Sequence, residues 1–110
     1  MKAIAAFIVA ICAAALPTQA QEWPAKTVRI VVGIGVGSGY DINARLIARF
    51  LPAQIPGNPT VIVQNQPGAG SITMTNQLYA NGPFDGTVIG ASFNGLPTTP
   101  LLQPNGVRFD

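Results

Sequence analysis

Val28-Arg29-Ile30-Val31-Val32-Gly33-Ile34-Gly35-Val36-Gly37-Ser38-Gly39-Tyr40-Asp41 decides the fold. Apart from Arg29, its first five residues are β-branched and apolar, as in an inner parallel strand covered on both faces. Glycine then takes every second place from Gly33 to Gly39. One glycine would satisfy a tight strand-to-helix turn. Four in alternation favour close approach of bare backbone to a ligand, because no Cβ stands in the way. A helical pattern starts directly afterwards, so the loop's N–H groups fall at a helix N-terminus, where negative charge is favoured.

That helix is expected over Tyr40 to Leu51. Ser38 with Asp41 three places on resembles a capping box. Ile42, Leu46 and Phe50 form one apolar ridge, with Ile47 and Leu51 beside it, which predicts a core-facing stripe. Asp41, Arg45 and Arg49 recur every fourth position on the other side, as a solvated face with a surface ion pair. Pro52 ends the helix or bends its last turn.

Turn chemistry at Ile55-Pro56-Gly57-Asn58-Pro59 leads to a second buried strand, Thr60 to Val63. It runs into a second glycine loop, Pro67-Gly68-Ala69-Gly70-Ser71, although Pro-Gly is also ordinary turn chemistry. A less regular helix follows from Ser71 to Ala80, with Ile72, Met74, Leu78 and Tyr79 as apolar contacts. Asn81-Gly82-Pro83 reads as a helix stop with Gly82 in a left-handed cap. After a tight turn at Pro83 to Gly86, Thr87 to Ala91 is a third strand, and Ser92 to Leu96 opens a third loop. Residues 97 to 102 show no clear period.

The order is therefore α/β, a β-α-β-α-β parallel sheet with right-handed crossovers. All three loops leave strand C-termini and gather on the edge where open α/β sheets bind ligands. A dinucleotide site is excluded, since no Gly-x-Gly-x-x-Gly register fits and Gln64 and Asn65 stand where its acid belongs. A P-loop is excluded because no lysine follows the glycines.

Composition narrows the function. The chain has 110 residues, no histidine and a net charge of +2, which suits at most one domain and offers no basic patch for nucleic acid. Lys2 followed by the apolar run Ala3 to Leu16, then Pro17 and small residues to Ala20, reads as a secretory signal peptide over 1–20. Cys12 lies within it, so residues 21–110 hold no cysteine. Soft metal ligands are missing there, and Lys26, the one candidate base for a hydroxyl nucleophile, precedes the first strand at the wrong end for a site on strand C-termini. No cofactor and no catalytic residue are expected; an active site would have to lie mostly elsewhere.

Trp23-Pro24-Ala25-Lys26, the strand and glycine loop ending in Asp41, and Ala44-Arg45 together resemble the N-terminus of Bug-type receptors. These are the periplasmic solute-binding proteins of tripartite tricarboxylate transporters. The likeness continues through Val61-Ile62-Val63-Gln64-Asn65-Gln66-Pro67-Gly68-Ala69-Gly70-Ser71 and Pro83-Phe84-Asp85-Gly86. It implies a type II periplasmic-binding-protein-like fold of two domains, of which 21–110 would be the incomplete first part, a truncated copy or fragment.

By the same resemblance, a small carboxylate (tricarboxylate or dicarboxylate type) meets Gly37, Ser38, Gly39, Tyr40, Asp41, Gly70 and Ser71. Ser92 and Asn94 join them from the third loop. Asp41 reads as a helix cap rather than a direct contact, because an anion repels it. The implied partners are the permease subunits of the transporter, and the implied location is the periplasm. The family enters the first loop with Pro-Phe where this chain has Gly33-Ile34, and it carries a small residue at Tyr40. Two other readings stay open: an α/β enzyme subdomain completed by another chain, and a non-functional remnant. The carboxylate reading requires the two glycine loops to share one rim and to be free of the protein's own side chains.

Overall fold

The computed structural model describes residues 27–109. The expected signal peptide over 1–20, Trp23 and Lys26 lie outside the described residues. Strand β1 spans Thr27–Val32, β2 Thr60–Asn65 and β3 Val88–Ala91. Helix α1 spans Gly39–Phe50, α2 Ile72–Asn81 and the short α3 Thr99–Leu102. Short 3-10 turns fill Leu51–Gln54, Ala69–Ser71 and Leu96–Thr98. Residues 97–102, without a period in the sequence, are thus helical.

The sheet is parallel in the order β2-β1-β3. β1 is the inner strand, and Ile30, Val31 and Val32 are all buried, on both faces. β2 is only half-buried on alternate residues, which corrects the expectation of a second fully buried strand: among the described residues it lies at the sheet edge. The register sets Val32 opposite both Asn65 and Ala91, so the three strands end level.

Side chains alternate across a sheet. Ile30 and Val32 pack with Ala44 of α1, flanked by Val61, Val63, Ala91, Ala48 and Tyr40. Gly90 lies under Leu78 and the buried Met74 of α2, and it pairs with Val31, on the opposite face. The two long helices therefore cover opposite faces, which places a topological switch point between β1 and β3.

Two local expectations are corrected. The α1 ridge does not face the sheet: Ile42, Leu46, Ile47 and Phe50 are all more than half exposed, while Asp41 and Ala44 are buried. At the helix start the buried Asp41 carboxylate is tied to β2 by the Asn65 amide, its other partners, Gly37 and Arg45, belonging to the adjoining loop and to α1 itself. The Tyr40, Ala44 and Ala48 side faces the sheet, and small alanines permit close packing there. Gly82, expected left-handed, is extended (φ −67°, ψ 144°), and its N–H donates to the Leu78 carbonyl. Pro83 follows, and the residue before proline is driven out of helical conformations. Among the described residues no helix is long and apolar enough to cross a membrane.

Candidate functional site

The first loop is held from within. Ser38 is extended (φ −69°, ψ 162°) and caps α1, its hydroxyl accepting the Asp41 N–H at 3.2 Å. The Asp41 carboxylate does not complete a capping box. It accepts the Gly37 N–H at 2.9 Å, Arg45 Nε at 3.0 and 3.1 Å, and Asn65 Nδ2 at 2.9 Å. The same Asn65 amide nitrogen also donates to the Ile34 carbonyl at 3.1 Å, tying β2 to the loop. Arg45 reaches on to the Asn65 Oδ1 at 3.1 Å. Asp41 is 2% exposed, so the expected surface ion pair is half buried. The Arg45 guanidinium, then the Gly37 N–H, hold its carboxyl well down, from the ordinary 3.8 to about 2.

The alternating glycines divide by role. A Cβ on Gly33 would stand 2.5 Å from the Ser71 side chain, so this glycine lets the first two loops touch. Gly37 takes a left-handed φ of +81°, which turns its N–H onto Asp41. Around Gly35 and Gly39 a Cβ would meet nothing within 4 Å. Gly39 and Tyr40 open α1, and the first N–H groups of a helix have no partner inside it.

The second loop is more strained. Ala69, Gly70 and Ser71 all carry positive φ, at 45°, 60° and 76°, and for the two non-glycines this conformation is unfavourable. Ser71 is fully buried, and its hydroxyl accepts the Phe93 N–H at 2.9 Å. Tyr40 spans the switch point: its hydroxyl accepts the Asn94 N–H at 3.2 Å, and its ring meets Phe93 edge-on at 6.4 Å.

All three loops thus share one rim, joined by Gly33–Ser71, Ser71–Phe93 and Tyr40–Asn94 contacts. Ser38, Gly39, Tyr40, Asp41, Gly70, Ser92 and Asn94 belong to that rim. Two expectations change. The Gly37 N–H is taken by Asp41, so the first loop is partly filled by the protein's own carboxylate, and Ser71 faces inward as a joint between loops. Open space remains over Gly39 and Gly70.

A cavity of about 370 Å³ adjoins Gly70, between the second loop and the residues after β3, with Ile72, Phe93, Thr98, Thr99 and Leu102 among its walls. The sequence reading found Gly70 but missed the rest, because residues 97–102 carry no amphipathic period to place them. It also missed Asn65, whose role depends on strand register; its place at the C-terminal end of the second strand, before the glycine loop, was the available signal.

No family model matches the chain. A UPF0065 protein of Bordetella bronchiseptica is 38% identical over 85 residues, which is 76% of this chain and 24% of that protein. A UPF0065 protein encoded in the gbd 5' region of Cupriavidus necator is 38% identical over 82 residues, 73% of the chain and 24% of the relative. Protein BugT of Bordetella pertussis is 32% identical over 95 residues, 86% of the chain and 28% of BugT. The chain spans about a quarter of the length of the curated relatives it matches.

Proposed function

Because the chain belongs to the UPF0065 proteins of the Bug family, we propose that it serves as part of a periplasmic solute-binding receptor for a small carboxylate. The receptor delivers that carboxylate to the permease of a tripartite tricarboxylate transporter. No catalytic step is assigned to it.

The observation that carries this reading is the open backbone over Gly39 and Gly70 on one rim, beside the start of the 12-residue helix α1. N–H groups at a helix start favour an anion by about 0.3–1 kcal/mol where exposed, and up to roughly 2 kcal/mol where partly buried. Asp41 limits the reading, since its own carboxylate occupies the Gly37 N–H and that part of the first loop is not free for a ligand. Its presence also moves the ligand's place outward, toward Gly39 and Tyr40 on one side and Gly70 on the other, since two carboxylates at one seat repel.

Acetate titration of the chain, followed by ¹⁵N-resolved NMR, tests this. Saturable shifts are expected at the amides of Gly39, Tyr40 and Gly70, and sodium chloride at equal ionic strength should not reproduce them. Shifts absent from these amides would overturn the assignment.

A further inference from the structure

Resting on the carboxylate reading, we propose that the solute has a single carboxylate, with an uncharged, largely apolar tail that fills the cavity beside Gly70. The walls carry the argument. Ile72, Phe93 and Leu102 are apolar, and the polar contributions come from Thr98, Thr99 and Gln103. None of the lining residues is charged.

Both threonine hydroxyls are already engaged, donating to the Gly95 carbonyl at 2.8 and 3.3 Å. As donors they are spent, so what they offer a guest is mainly acceptor lone pairs, which a second carboxylate cannot use, and among the lining side chains the Gln103 amide alone keeps N–H donors. Arg45, beside the first loop, is committed to Asp41 and Asn65. Arg49 lies over the Phe50 ring at 5.8 Å, on the helix that packs across the opposite face from α2. A dicarboxylate entering this cavity would set its second charge among lining residues none of which is charged, a less favourable exchange than for an uncharged tail. An aromatic or branched aliphatic tail has the opposite balance, since it leaves water and packs against Phe93 and Ile72.

Gly70 fixes the orientation. It borders both the rim and the cavity, and a Cβ there would meet nothing within 4 Å. A carboxylate at the Gly70 backbone therefore leaves the rest of the molecule pointing between Phe93 and Leu102.

NMR titrations of the full chain with benzoate, succinate and acetate distinguish the outcomes. Benzoate is expected to move the amides of Gly70, Phe93 and Thr99 and to bind at least about tenfold tighter than succinate. Leu102 is 77% exposed, so Leu102→Arg replaces an apolar wall at the cavity mouth with a cation while leaving the buried core alone; succinate should then gain on benzoate. Equal affinity for succinate and benzoate in the unaltered chain, or no gain for succinate in the variant, would overturn the proposal. If acetate moves Gly39, Tyr40 and Gly70 but benzoate binds no tighter than acetate, the cavity assignment falls and the carboxylate reading stands. If none of the three moves those amides, both fall.

Discussion

Asp41 takes two roles that a surface residue at a helix start would not combine. Its carboxylate collects the Gly37 N–H, the Arg45 guanidinium and the Asn65 amide, so it shapes the first loop and ties α1 to β2. The depressed pKa, about 2 against 3.8, fixes the sign of its linkage to stability. Between these values the unfolded chain binds more protons than the folded one, so stability rises with pH across the window. It is fully present above about pH 4 and is lost as pH falls toward about pH 2. Thermal melts across that range should show Asp41→Asn with a shallower acid-side loss than the unaltered chain. Among the described residues Asp85, which Thr87 holds below its ordinary range, contributes to the slope that remains. Equal slopes would mean that the Asp41 carboxylate is not bonded as described.

At the scale of elements, α1 departs from its apolar pattern. By periodicity its ridge of Ile42, Leu46 and Phe50 belongs inside, yet Leu46 is 56% exposed and Ala44 only 3%. The two positions should respond in opposite ways to substitution. Leu46→Ala is expected to change stability by no more than about 0.5 kcal/mol. Ala44→Leu must push α1 away from Ile30 and Val32 and is expected to destabilise by about 1–3 kcal/mol. Chemical denaturation of the two variants checks this, and a larger loss from Leu46→Ala would place the ridge against the sheet after all. The end of α2 carries a parallel lesson. Asn-Gly-Pro announces a stop, but the proline, acting on the residue before it, chooses an extended Gly82 over a left-handed one.

Across the whole molecule, the rim depends on contacts between loops far apart in sequence. Tyr40 and Asn94 meet across the switch point, and Ser71 joins the second loop to the third. Tyr40→Phe removes one of these ties. It should raise hydrogen exchange at the Asn94 amide while lowering global stability by only about 0.5–1.5 kcal/mol; unchanged exchange would show that the tie is not made. The alternation of three parallel strands with helices and the gathering of three loops on one edge were legible in residues 28–91, because β-branched runs, glycine loops and turn residues are local signals that admit few parallel arrangements; the spatial order β2-β1-β3 came only from the structure. The sequence also determined that α1 starts at a Ser38 cap, whereas the need for glycine at position 33, beside Ser71, came from the structure. Tertiary structure alone decided which side of α1 is buried, that Gly37 serves Asp41 instead of a ligand, that Ser71 turns inward, and that Phe93, Thr99 and Leu102 line an open cavity with Gly70. Each of these depends on strand register and on hydrogen bonds between distant residues, and a periodicity read along one segment holds no information about the partner that will compete for its polar groups.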